Sequence, residues 1–551
     1  MAYDWGSDGG LGTESACRPR PSGAWAGELA LATLSLTLPF LYLLHMRLLY
    51  TWRSTKSSRQ MEAAMAMPDT GAGTLYIDGK WRHAAAGRTF PVTNPATSEI
   101  LAQISAADTQ DVREAVAAAE SAFPGWAART AYERAGYLQE AHRLMLERAE
   151  DLARLMTTEQ GKPLRTARIE VQYAADFLIW FAEEAKRVYG QTIPSARADQ
   201  RFMVLHQPVG VVGAVTPWNY PISMLTRKIG PALAAGCTVV LKPAQQTPLC
   251  AVEVFRILHE VGVPAGVVNL VTADRARIVG DEFLSNPAVR KLTFTGSTEV
   301  GKRLAEGAAR QIKRVSLELG GHAPFIVFPD ADPAHAARGA ALVKFLNTGQ
   351  ACICPNRIFV HRSVADKFLE VLRDRVGRLK AGNGLEEGVT IGPLIDEGAL
   401  AKMDEHVTDA VGKGATISLG GERLTGENYD AGTFFAPTVL TDVTPEMLIY
   451  REETFGPIAP VILFDDEDEV IKMANDTNYG LASYIYTNDL SRALRVSEAL
   501  RFAMVGINDI NPTSAAAPFG GVKESGLGRE GGQEGIVEYL DTKLIGISIA
   551  R

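Results

Sequence analysis

Four short β-branched runs, at 209–215, 238–241, 267–271 and 292–294, are separated by segments of helical periodicity. That alternation constrains the fold more than any other feature of the chain. Parallel strands need a long return crossover, usually a helix, and a sheet covered by helices on both faces carries near-continuous apolar strands. A second series of the same kind begins at Ala323, with runs at 325–328, 357–360 and 458–464. The pattern predicts an α/β protein with two sheet-centred domains, and 551 residues exceed what a single core usually serves. Ahead of them lie a strand and turn at 75–81 and a helical region, 106–161, that stops at Gly161-Lys162-Pro163. No internal repeat is visible.

Composition removes several function classes. At 46% hydrophobic and 22% charged residues, wholesale disorder is excluded. The net charge is -8, with acids and bases interspersed and no basic stripe, so no nucleic-acid partner is expected. The five cysteines, Cys17, Cys237, Cys250, Cys352 and Cys354, are odd in number and lack a framework spacing. They argue against a disulfide-stapled secreted protein, and a lone C-x-C does not supply a closed zinc site. The reading is a metal-free enzyme in a reducing, cytoplasmic compartment.

Residues 1–66 read as an N-terminal extension. Their apolar segment, 29–44, is just short of the roughly 17–25 residues that a membrane span needs. It contains Pro39 and is followed by Arg47, Arg53, Lys56 and Arg59. If it inserts, the positive-inside rule puts the enzyme on the cytoplasmic side. The alternative is a gene-model artefact with the true start at Met61, Met65 or Met67. A membrane partner is expected only if 29–44 is a real anchor.

Four motifs carry candidate chemistry. Gly349-Gln350-Ala351-Cys352-Ile353-Cys354 offers a thiol, the best neutral-pH nucleophile among side chains. Two small core cysteines are the plainer reading of that stretch. Leu317-Glu318-Leu319-Gly320-Gly321-His322 sets a carboxylate beside two glycines, where it could activate a thiol or a water; a surface Glu near a loop reads equally well. His322 reads as a polar loop residue and not a ligand. Thr216-Pro217-Trp218-Asn219-Tyr220-Pro221 follows a strand, and its Asn amide could donate to an oxyanion or merely cap a turn. Phe294-Thr295-Gly296-Ser297 runs from a strand into a helix, where Gly296 and Ser297 suit a pyrophosphate or a simple N-cap.

Together and in this order, the four motifs resemble the aldehyde dehydrogenase superfamily; within it, the stretches 180–190, Thr226-Arg227-Lys228 and 233–238 and the Cys352-x-Cys354 pair resemble succinate-semialdehyde dehydrogenases most. The resemblance spans about 75–546 and includes Thr158-Glu159-Gln160-Gly161-Lys162-Pro163, Glu453-Thr454-Phe455-Gly456-Pro457, Pro518-Phe519-Gly520-Gly521 and Gly526-Leu527-Gly528-Arg529-Glu530-Gly531. It implies a Rossmann-type cofactor domain (70–190 and 208–321), an α/β catalytic domain (322–520) and a small oligomerisation arm (191–207 and 521–551). It implies Cys352 as nucleophile, Glu318 as general base and Asn219 as oxyanion donor. The cofactor would lie over Trp218, Asn219, Lys242, Pro243, Ala244, Gln245, Gly296, Ser297, Leu319, Glu453 and Phe455. A homodimer or homotetramer acting on a small-molecule aldehyde is expected.

NAD-restricted members of the family often carry Glu where this chain has Gln245. A carboxylate would repel a 2′-phosphate and an amide would not, so NADP is expected to be accepted, with NAD use also open. Succinate-semialdehyde dehydrogenases hold the far carboxylate with two arginines and a serine. Arg227 matches the first arginine, and Thr513 or Ser514 matches the serine. The second arginine is replaced by Leu346, which offers no polar group to a carboxylate and opens the alternative of a less polar aldehyde. The Cys352-x-Cys354 spacing resembles a reversible redox pair; a passive Cys354 is the other reading.

Overall fold

The computed structural model describes residues 70–550. The extension at 1–66, with its apolar segment 29–44, lies outside the described residues. Among the described residues no helix is long and apolar enough to cross a membrane.

The helical region resolves into Thr109–Ala127, Ala131–Glu147 and Ala149–Gln160. The first two start in capping boxes, Asp108 with Asp111 and Thr130 with Glu133. The third stops where Gly161 takes a φ of 92°, a conformation that glycine adopts without a Cβ penalty. Leu164–Glu184 then packs against Ser223–Ala235, and this pairing walls the region that matters below.

The first sheet has eight strands. Across it run Gly526–Leu527, Arg314–Glu318, Val289–Thr295, Val211–Val215, Thr238–Lys242, Val268–Leu270, Leu75–Ile77 and Lys80–Arg82. The inner five are parallel, and both edges are antiparallel. Thr238–Lys242 is buried at every residue, as a strand covered on both faces must be. Numbered in chain order, the inner five lie 3-2-1-4-5. The order reverses between Val211–Val215 and Val289–Thr295, and ligands of such sheets bind in the crevice at that switch. The edge hairpin turns at Asp78-Gly79, both with positive φ, which matches the twist of paired strands.

The second sheet has seven strands, in the order Thr416–Leu419, Thr438–Thr441, Ile458–Phe464, Pro355–His361, Ala323–Val327, Ala482–Tyr486 and Met504–Ile507. Only the first pairing is antiparallel. A separate antiparallel sheet joins Gln191–Pro194, Gln200–Pro208 and Leu540–Ser548. Of the segment 521–551 expected in the arm, only its last part enters that sheet. Gly526–Leu527 instead extends the first sheet beside Arg314–Glu318, and Glu530 is buried against Arg227 and Lys228.

Candidate active site

Two loops leave the first sheet at its switch point. Thr216–Asn219 follows Val211–Val215, tied down by Thr216 N–H donating to Lys242 O at 3.1 Å. Gly296 and Ser297 follow Val289–Thr295 and open the helix Thr298–Ala309. Ser297 makes no side-chain cap bond, so its hydroxyl and the first-turn N–H groups stay available to an anion. Between the loops is a cavity of about 250 Å³ lined by Trp218, Asn219, Gly296, Ser297, Leu319, Glu453 and Phe455, with Glu318 and Cys352 at its end. Trp218 and Phe455 meet at 5.5 Å and 89° and form one wall. Lys242, Pro243 and Ala244 are buried at the end of the neighbouring strand, and burial lowers the Lys242 ammonium to about 8. Gln245 is exposed and borders a different hollow, with Gln246, Asp274 and Asp396.

Cys352 is carried by a strained loop. Asn347, Thr348 and Gly349 take φ of 48°, 59° and 76°, and a β-branched residue there is costly unless its surroundings hold it. They do hold it. Thr348 Oγ1 donates to Gly392 O at 3.2 Å and accepts from Gly392 N at 3.0 Å. The Gln350 amide donates to Pro393 O at 3.3 Å and accepts from Ile395 N at 3.0 Å. Gly321 lets the segment that enters Ala323–Val327 pass close to the loop: a Cβ there would stand 2.1 Å from the Cys352 carbonyl oxygen.

Asn219 reaches across to this loop. Its side-chain N–H donates to Gln350 O at 3.0 Å, which uses one of its two amide protons. Its own carbonyl is gripped by Asn347 Nδ2 at 2.9 Å and Lys162 Nζ at 2.7 Å. Lys162 is ion-paired with Glu170, and both side chains are fully buried. Glu170 also accepts from the backbone N–H of Ile222 and Ser223, at 3.1 and 3.2 Å.

Glu318 is buried beside Cys352, and its Oε1 has no hydrogen-bond partner. Burial, with the nearby Glu530 carboxylate, pushes the Glu318 carboxyl up to about 7 against the opposing pull of Arg227. Burial, and then Glu318 itself, holds the Cys352 thiol well above its ordinary range. The pair therefore rests as thiol and near-neutral-pH base, the combination in which proton transfer to a positioned carboxylate is most effective. Glu530 carries Arg227 and Lys228, at 2.7 and 2.5 Å. Burial raises its carboxyl, but the two cations outweigh this and hold it below the ordinary range.

On the other side of Cys352 is a second cavity of about 160 Å³, lined by Tyr173, Arg227, Leu346, Thr513 and Phe519 among others. It opens towards a hollow of about 750 Å³ that includes Tyr173, Trp180, Thr513 and Ser514. Ser514 lines only the outer hollow; Thr513 lines both. Cys352 is the one residue that lines both this second cavity and the one at the switch point. Cys354 is turned elsewhere: its Sγ donates to Val343 O at 3.2 Å and Lys344 O at 3.6 Å. His322 lies in a loop, but not an exposed one. It is fully buried, with Nε2 at 2.7 Å from Tyr450 O, because the glycines before it lead straight into Ala323–Val327.

The model of the aldehyde dehydrogenase family matches residues 81–545.

The chain belongs to the aldehyde dehydrogenase family.

It is 54% identical over 474 residues to a glutarate-semialdehyde dehydrogenase of Pseudomonas putida, covering 86% of this chain and 97% of that one. It is 53% identical over 473 residues to an NADP(+) succinate-semialdehyde dehydrogenase of Escherichia coli, with the same coverage. A crystal structure of an E. coli NADP-dependent enzyme superposes with a TM-score of 0.85 at 52% identity, over 88% of this chain and 100% of that one.

In this aldehyde dehydrogenase family member, sequence reasoning passed over Lys162, Glu170, Tyr173 and Glu530 as site residues. Lys162 and Glu530 stand in stretches that carry the family resemblance, a signal that singles out no role. Glu170 and Tyr173 lie on an amphipathic helix, where a Glu reads as solvated and a Tyr as packing.

Proposed function

We propose that this enzyme oxidises a semialdehyde with a far carboxylate, of succinate- or glutarate-semialdehyde length, to the dicarboxylic acid with NADP or NAD. The observation that carries the reading is the position of Cys352, with one cavity on either side. The cavity at the switch point supports a dinucleotide: an uncapped Ser297 and helix N-terminus for phosphate, Glu453 for ribose hydroxyls, and Trp218 and Phe455 as walls. The opposite cavity, with Arg227, supports the semialdehyde. The names of the relatives support the same substrate class and cofactor.

Cys352 loses its proton to Glu318 and adds to the aldehyde carbon. The Asn219 amide and the Cys352 N–H donate to the oxygen as it gains charge, and loss of one such donor typically costs about 2.7–4 kcal/mol. A nicotinamide held by Trp218, Gly296, Ser297, Glu453 and Phe455 would supply the acceptor for the hydride that the carbon bonded to Cys352 gives up. The product is a thioester on Cys352. Glu318 releases the Cys352 proton to solvent and then takes a proton from water; the hydroxide adds to the thioester carbon, and the acid leaves as the departing thiolate recovers a proton from Glu318.

Leu346 in the substrate cavity favours a second reading, in which a neutral aldehyde of similar length is also turned over. The test is kcat/KM for succinate semialdehyde, glutarate semialdehyde and pentanal, each with NADP and NAD, followed at the reduced-nicotinamide absorbance. A preference for the semialdehydes of at least about tenfold is expected, since a charged carboxylate bond contributes on the order of 1.5–3 kcal/mol. Equal rates for pentanal would overturn the carboxylate assignment. The antiparallel sheet of Gln191–Pro194, Gln200–Pro208 and Leu540–Ser548 is proposed as the oligomerisation arm, checked by light scattering on a chain ending at Tyr539. A cytoplasmic location is proposed with it, and fractionation with and without residues 1–66 checks that.

A further inference from the structure

Tyr173 and Thr513 line both the inner cavity and the outer hollow, so they stand at the neck between solvent and Cys352. The Tyr173 ring meets Phe177 edge-on at 5.0 Å. Phe177 lies 5.6 Å from the Arg227 guanidinium, whose closest ring is Phe519 at 4.0 Å. One aromatic cluster thus fixes Tyr173 beside Arg227.

Ser223 Oγ lines the cavity and is buried without a hydrogen-bond partner. Arg227 Nε and Nη2 are both buried without a hydrogen-bond partner, although Nη2 is ion-paired with Glu530 at 2.7 Å. Thr513 has a single hydroxyl proton, and it donates that to Asn511 Oδ1 at 2.7 Å. Leu346 has none to give. The Tyr173 phenol is different. It carries a hydroxyl proton at neutral pH and shares the walls of both cavities with Thr513. A carboxylate entering the cavity has more acceptor sites than Arg227 alone satisfies, and an unsatisfied buried anion is costly.

We propose that the Tyr173 hydroxyl is the second donor to the substrate's far carboxylate, and so the specificity-determining residue that stands in for the cation absent at Leu346. The proposal rests on the carboxylate-semialdehyde reading above. It explains how a pocket lacking one cation still discriminates: a short O–H···O⁻ bond selects the anion without adding a buried charge.

Steady-state kinetics of Tyr173→Phe test it, with glutarate semialdehyde and pentanal as the paired substrates. The expected result is a rise in KM for glutarate semialdehyde on the order of tenfold, as loss of a hydrogen bond to a charged group implies, with kcat little changed. KM for pentanal stays within about twofold, which also shows that the variant is folded. Leu346→Arg in the Tyr173→Phe background brings the semialdehyde KM back down and leaves pentanal unaffected. Slowing of both substrates alike would make Tyr173 a packing residue and overturn the proposal, as would no change for either. A wild-type enzyme that does not favour the semialdehyde over pentanal would instead sink the substrate assignment itself.

Discussion

Lys162 Nζ donates to the carbonyl of Asn219 at 2.7 Å, and so links the end of the helical region to the loop that faces Cys352. The ammonium is paired with Glu170 and lies 4.0 Å from the Tyr220 ring centroid. Glu170→Gln leaves that buried cation uncompensated, which costs about 3–5 kcal/mol. Thermal unfolding is expected to show the loss. The double variant Lys162→Met/Glu170→Leu removes both charges and is less destabilised. It still has a reduced kcat, because the grip on Asn219 is gone. Equal stability of the single and double variants would remove the pair from this role.

The pH profile follows from Glu318. Its carboxyl stands at about 7, so it is ionised, and able to take a proton, only above that pH. We expect kcat/KM to rise through neutrality and level off, and to fall on the acid side. Glu318→Gln abolishes this limb and lowers kcat by about 10²–10⁴-fold.

The same shift has a stability consequence of definite sign. A carboxyl whose proton affinity is raised by folding stabilises the fold below its unfolded value, and that contribution is lost as pH rises through its folded value. Glu318→Gln stays neutral throughout. Its advantage in unfolding free energy over the wild type is therefore expected to grow from about pH 5 to about pH 8. A constant difference across that range would contradict the buried-carboxyl account.

Gly349 combines a φ of 76° with close approach to Gly456, where an added Cβ would stand 2.1 Å from the carbonyl oxygen. Gly349→Ala must displace either the Cys352 loop or the segment that carries Glu453 and Phe455. The expected outcome is a loss of stability of more than about 1 kcal/mol together with weakened NADP binding by fluorescence titration.

Gln245→Glu places a carboxylate on the exposed position beyond Lys242. It is expected to lower kcat/KM for NADP and to spare NAD, since only the former carries a 2′-phosphate for the carboxylate to repel. An unchanged cofactor ratio would show that Gln245 does not face the adenosine ribose.

The strand runs were legible because most of their residues are apolar or β-branched. The expected 458–464 coincides with Ile458–Phe464, and 292–294 is the centre of the longer Val289–Thr295. Thr438–Thr441 and Met504–Ile507 were not legible: the first is bounded by threonines and the second is broken by Gly506, so neither stands out as an apolar run. Arg227 was legible as a candidate from its motif, but not its partner Glu530, which lies about three hundred positions away and enters through a turn that local pattern cannot trace.

The sequence by itself determined the two α/β series, the family and the types of residue able to do the chemistry, because apolar period and motif order are local properties of the chain. The tertiary structure decided the rest. Burial sets the Glu318 carboxyl near neutrality, and the Gly321 approach and the left-handed turn at 347–349 fix the Cys352 loop. Tyr173 and Leu346 come together with Arg227 on the wall of one cavity. Proton affinity, strain and pocket shape depend on which groups meet in space and how much water they exclude, and neither is written in the spacing of residues along the chain.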